Sequence, residues 1–216
     1  SEGAIAIIKE LGSHDIFYIT RSEGHIKDLY ARYTSNADVA VTEGVMGLFD
    51  GYDAMRGSSA EISGLLRIPI VLVVNAKSTA YSVAPLLYGF RNFRKDLNVV
   101  GAVFNFVASE SHYAYLRGAC EDVGIEALGY IPKDEGIVIP SRHLGLSIDG
   151  SCCFDEFANR VAEVIAKTVN VERLLEICTT DFPACGVNGD AERGETVGFY
   201  LLTWKRVLPF FRKSTI

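Results

Sequence analysis

The chain has 216 residues, 49% hydrophobic and 22% charged, with a formal net charge of -6. That length suits one domain, or one domain with an appendage, and the apolar share is enough for a sizeable core. The negative balance argues against nucleic acid or a membrane surface as the main partner, so a bound anion would have to be met locally by backbone amides, a metal or a few placed cations.

Five cysteines, Cys120, Cys152, Cys153, Cys178 and Cys185, are scattered without metal-type C-x-x-C spacing. They read as reduced residues of a cytoplasmic protein. No basic stretch followed by an apolar one opens the sequence, and no run of about 18 apolar residues occurs, so neither a signal peptide nor a membrane span is expected.

In chain order, Ser22 to Tyr33 places Ile26, Leu29, Tyr30 and Tyr33 at helical spacing, with Ser22 as cap. Ala37 to Val41 reads as a short buried strand, and Ala60 to Leu66 as helix. Pro69 to Val74 is a continuous apolar run, the pattern of a central parallel strand. Ala80 to Phe93 reads as helix, Val99 to Phe104 as strand, Ser109 to Val123 as helix and Ala127 to Ile131 as strand, stopped by Pro132. Phe154 to Cys178 carries one long helical pattern. Strands alternating with helices predict a parallel sheet covered by helices on both faces. Ligands bind such sheets at the carboxyl ends of their strands. The ends here are Thr42-Glu43-Gly44, Asn75-Ala76-Lys77, Asn105 and Pro132-Lys133-Asp134-Glu135, expected to line one rim.

Residues 41–51 read VTEGVMGLFDG. A carboxylate ending a strand, as Glu43 does, is placed to hold Mg²⁺ beside nucleotide phosphates, and the glycines after it let backbone amides approach an anion. A turn with an acid as helix cap is the plainer alternative, and Asp50-Gly51 is equally compatible with a simple turn. Asn105 has an amide that suits a purine edge, or a turn. His112 and His143 read as hydrogen-bonded structural histidines. No G-x-x-x-x-G-K-[ST] phosphate loop occurs in the sequence.

Two stretches resemble the cobyrinic acid a,c-diamide synthases, glutamine-dependent amidating enzymes of cobalamin synthesis. One is ADVAVTEGVMGLFDG; the other runs from GAVFN at 101–105 through Ser111-His112-Tyr113 to LGYIPKDEGIVIPSRHLGL at 128–146. The resemblance covers about residues 15 to 178. It implies a P-loop NTPase or dethiobiotin-synthetase-like α/β domain, here without its P-loop segment. It also implies phosphorylation of a substrate carboxylate by Mg²⁺ and ATP, then displacement of the phosphate by ammonia from glutamine. Under it, Glu43 is a magnesium ligand and catalytic, and Asp50 is catalytic on the corrinoid side. Gly44 and Gly47 lie against phosphate or substrate, and Asn105 and Pro132 contact adenine.

The partners so implied are cobyrinate or a related tetrapyrrole and a glutaminase domain that this sequence does not contain. Homodimer formation stays open, and neither nucleic acid nor membrane is expected. Amidation of another tetrapyrrole such as nickel-sirohydrochlorin, or a non-catalytic fragment of such an enzyme, are the alternatives. Asn75 stands where the family pattern has an aspartate, and Phe106 where a basic residue is common. Residues 1–178 are thus expected to be a partial ATP-dependent synthetase domain. Residues 179–216 read as an unmatched, poorly ordered tail, with Phe199 to Phe211 also compatible with an amphipathic helix.

Overall fold

Ile70, Leu72 and Val74 bury into one cluster and Val71 into another, and none of the four is more than 4% exposed. A strand sealed on both faces belongs in the middle of a parallel sheet, and that is its place. The computed structural model describes residues 23–34, 38–44, 46–134, 154–180 and 196–203. In chain order it contains α1 (Glu23–Thr34), β1 (Val39–Glu43), α2 (Ser59–Leu66), β2 (Ile70–Asn75), α3 (Ala84–Asn92), β3 (Val99–Val107) and α4 (Glu110–Val123). These are followed by β4 (Glu126–Pro132), α5 (Phe154–Thr168), α6 (Val171–Cys178), β5 (Thr179–Thr180) and β6 (Thr196–Thr203).

The sheet order is β1-β6-β2-β3-β4, parallel throughout, with β5 antiparallel to the first residues of β6. One face packs under α1 to α4, through Ile26, Ile62, Leu66, Leu87, Phe90 and Leu116 against Leu72, Val74 and Phe104. The other packs under α5 and α6, where Val164, Leu174, Ile177 and Cys178 meet Val71, Val103, Leu128 and Ile131. This is the expected α/β architecture with helices on both faces. Among the described residues no helix is long and apolar enough to cross a membrane.

Local chemistry sets the helix ends. Ser58 Oγ accepts from the Glu61 N–H at 3.2 Å, while Glu61 Oε2 accepts from the Gly57 N–H at 2.5 Å, a reciprocal cap that starts α2. Ser109 caps α4 in the same way, and Gly124 at φ 77 ends it in the left-handed region. The long helical pattern of 154–178 is broken in two. Asn170 donates its N–H to Leu128 O at 2.8 Å, and its Oδ1 accepts from the Arg173 N–H at 3.0 Å, so the same residue docks on β4 and caps α6.

That docking depends on Gly129. Its φ is +140, and a Cβ there would lie 2.3 Å from Thr168 O and 2.5 Å from Val169 Cα. Backbone stands in the way, so no side-chain rotation relieves the clash. Gly129→Ala is expected to lower the stability of the chain by about 2–3 kcal/mol, from strain and overpacking together. Urea unfolding measures it; an unchanged midpoint would contradict the packing described here.

Two elements differ from the sequence reading. The strand expected over 37–41 is Val39–Glu43, shifted by two residues, so that Glu43 is its last residue. Among the described residues β1 is at the edge of the sheet and only half covered, and Val41 is 39% exposed. Residues 196–203, expected within a poorly ordered tail, form β6 inside the sheet, and Phe199 to Thr203 are strand, not helix.

Candidate functional site

Register fixes how the strand ends stand to one another. Asn75 is opposite Asn105, Asn105 is opposite Ile131, and Val107 is opposite Pro132, so β2, β3 and β4 end together. Glu43 is opposite Leu201, and Leu201 is opposite Val71. The end of β1 is therefore level with a residue four places before Asn75, roughly 13 Å back along the strands at about 3.3 Å per residue. Three strand spacings separate β1 from β3, about 14 Å more. The four ends expected to make one rim make two groups instead. Asn75, Asn105 and Pro132 form one; Glu43, Gly44, Gly47 and Asp50 follow β1 in the other.

The recession of Glu43 explains its electrostatics. Burial pushes its carboxyl up to about 7, because the charged form loses water and gains nothing in return. Among the described residues no hydrogen bond or ion pair reaches it. A partly desolvated carboxylate lacking a partner is what a cation ligand looks like before its cation arrives. No group of three or more His, Cys, Asp or Glu gathers as a metal site among the described residues. Mg²⁺ takes one or two carboxylates and shares its remaining positions with water and phosphate, a demand that a single carboxylate such as Glu43 could meet.

The loop after β1 is anchored by its apolar members. Leu48 is 1% exposed and its carbonyl accepts from the Ala60 N–H at 2.9 Å. Phe49 stacks on Phe90 at 5.9 Å and meets the edge of Phe93 at 4.9 Å. Between these anchors the Asp50 N–H donates to Gly47 O at 3.0 Å. A Cβ on Gly47 would lie 2.4 Å from Asp50 Oδ2, a contact with the tip of an exposed side chain that can turn away. Gly44 is buried directly beside Glu43.

The second group is a knot of short-range bonds. Asn105, 4% exposed, accepts from the Phe106 N–H at 2.8 Å through Oδ1. Its main-chain carbonyl accepts from the Ala76 N–H at 2.8 Å. Asn75 Oδ1 accepts from the Lys77 N–H at 2.9 Å. The Lys133 N–H donates to Val107 O at 3.1 Å, holding the half-buried Pro132 end of β4 against β3. Sequence reasoning missed how this knot is tied. Ser78 and Phe106 sit at φ 60 and φ 61, where non-glycine residues are rare, and neither residue type signals that conformation. His143 and residues 135–146, part of the second family-like stretch, lie outside the described residues. Cys120 and Cys178 are free and buried, and burial pushes both thiols up to about 12, so they are inert core residues, as expected.

Known proteins are similar to this sequence over most of its length. No family model matches the chain. The cobyrinate a,c-diamide synthase of Caldanaerobacter subterraneus subsp. tengcongensis is 40% identical over 166 residues, 76% of this chain and 36% of the relative. The hydrogenobyrinate a,c-diamide synthase of Brucella suis is 41% identical over 156 residues, 71% of this chain and 36% of the relative. The cobyrinate a,c-diamide synthase of Saccharolobus solfataricus is 34% identical over 160 residues, 74% of this chain. The chain is a homologue of the a,c-diamide synthases. It spans about 36% of the length of these relatives, and its parallel α/β sheet is the architecture the resemblance implied.

Proposed function

We propose that this chain is the ATP-binding part of a corrinoid a,c-diamide synthase, converting cobyrinate carboxylates a and c to amides in the cytoplasm. The likeness to a,c-diamide synthases, at 34–41% identity over more than 70% of the chain, carries this reading. In the proposed reaction, ATP with Mg²⁺ supplies the phosphoryl group that gives a carboxylate a good leaving group, and ammonia from glutamine displaces it. The full amidation belongs to the longer protein, with its glutaminase.

The residues divide that work between the two groups of strand ends. Glu43 holds the cation and must give up its proton to do so. Gly44 keeps the backbone beside it free of side chain, Gly47 lies against phosphate or substrate, and the exposed Asp50 carboxylate meets the corrinoid side. Asn105 and Pro132 form the edge that takes the adenine. The two groups stand far enough apart that only an elongated ligand touches both, as a nucleotide with its base at one end and its phosphates at the other would.

Calorimetry with this chain tests the reading directly. Binding of ATP that requires Mg²⁺ is expected, and cobyrinate added to the nucleotide-loaded chain is expected to bind in turn. Titrations that show no Mg²⁺-dependent nucleotide binding would overturn the assignment of these residues.

A further inference from the structure

The knot at the ends of β2 and β3 is closed by one side chain that the proposed chemistry does not use. His112 lies in the first turn of α4, and its ring makes two bonds in opposite directions. Nδ1 accepts from the Ala108 N–H at 3.1 Å. Nε2 faces Thr79 O at 2.5 Å. An amide N–H can only donate and a carbonyl can only accept, so together these contacts fix the neutral ring with its proton on Nε2.

The two loops so joined are those that follow Asn75 and Asn105. Each holds one non-glycine residue in the left-handed region, Ser78 one place before Thr79 and Phe106 two places before Ala108. Such residues stay strained only where surrounding bonds over-determine them. The loop after β2 is pinned once more where the Tyr81 hydroxyl donates to Asp122 of α4. The helix thus grips both loops from one side, while the bond from Ala76 N–H to Asn105 O joins them from within.

We propose that His112 is the positioning residue of this edge: its two ring nitrogens clamp the loops after β2 and β3 and so present Asn75 and Asn105 in a pre-formed arrangement. The clamp itself is independent of ligand. Its consequence for nucleotide affinity rests on the function proposed above.

Amide hydrogen exchange on the full chain tests the clamp, and calorimetry with Mg²⁺-ATP tests its consequence. His112→Ala is expected to speed exchange at residues 76–80 and 106–109 by about tenfold or more and leave 99–105 of β3 and all of β4 unchanged. Two amide variants separate the nitrogens. His112→Gln retains a donor near the Nε2 position and is expected to keep 76–80 slow while freeing Ala108. His112→Asn retains an acceptor near Nδ1 and is expected to do the reverse. If His112→Ala unfolds the chain, the two amide variants still decide. Identical exchange at both loops in Gln and Asn variants, or no change in the Ala variant, overturns the clamp. If the clamp holds but wild type binds no nucleotide, the proposed function fails and the positioning role stands. If wild type binds, His112→Ala is expected to weaken Mg²⁺-ATP about tenfold; unchanged affinity would confine the clamp to stability.

Discussion

Leu201→Pro is expected to abolish cooperative folding of this chain, although Leu201 lies in a segment outside the family resemblance. Leu201 is opposite Glu43 on one side and Val71 on the other, so β6 is a central strand with ladders on both edges. Proline supplies no N–H and locks φ, so in the middle of a sheet it removes a ladder hydrogen bond, and it is found essentially only on edge strands or at bulges. The loss does not stop at one bond. Among the described residues β1 pairs only with β6, so a broken β6 also loosens the strand that carries Glu43. A whole domain is stable by only about 5–15 kcal/mol, so the expected fall is a large part of the total. Circular dichroism and urea unfolding read the effect. A midpoint equal to that of wild type would mean that β6 is dispensable and that β1 is held by α1 and α2 alone.

The strand β6 also shows where sequence reading stops. The apolar run of 197–202 contains Val197, Phe199, Tyr200, Leu201 and Leu202, a strand-like composition of the same kind that marked Ile70 to Val74. The signal was legible. What composition cannot supply is the vacancy between β1 and β2 that a parallel strand from far along the chain fills, because that is a long-range property of the sheet. Elements whose partners are near in sequence read well. The helices at 59–66 and 110–123 and the strands after them have caps and apolar runs that specify them locally. The break at Asn170 was hidden for the same reason as β6: Val169 and Asn170 leave the helix to meet Leu128 and Gly129 on β4. At the site, Glu43, Asn75, Asn105 and Pro132 were legible as strand ends. Their stagger was not, since it follows from the register that β6 imposes. His112 was legible as a hydrogen-bonded structural histidine, and its ring does make two bonds; its partners were not legible, because both are main-chain atoms, which every residue type possesses.

Replacing the Glu43 carboxyl is expected to move stability and binding in opposite directions. Its folded-state value is raised from 4.5 to about 7 by desolvation. Below pH 4.5 both folded and unfolded chains hold the proton, and the group costs nothing. As the pH climbs toward 7 the unfolded chain releases a proton that the folded chain retains, so stability falls through this window and stays lower above it. The shift sets a ceiling of about 3 kcal/mol. The carboxyl is only half-buried, so solvent screening reduces the expected cost to about 1–2 kcal/mol. Glu43→Gln keeps the shape and removes the charge. It is expected to be more stable than wild type by that amount at pH 8 and equal to it at pH 4, measured by urea unfolding at the two values. The same substitution removes the proposed cation ligand, and Mg²⁺-ATP affinity is expected to fall about 100-fold, a loss of about 2.7 kcal/mol. In wild type, binding must expel the Glu43 proton below pH 7, so affinity should drop about tenfold for each unit of acidification. A stabilised variant that binds as well as wild type would leave Glu43 as a misplaced carboxylate with no cation to hold. A variant that loses both stability and binding would make it a structural residue, and the desolvation that sets it apart would have to be offset by contacts outside the described residues. Only the divergence of the two measurements fits a carboxylate kept at a cost to the fold for the ion it binds.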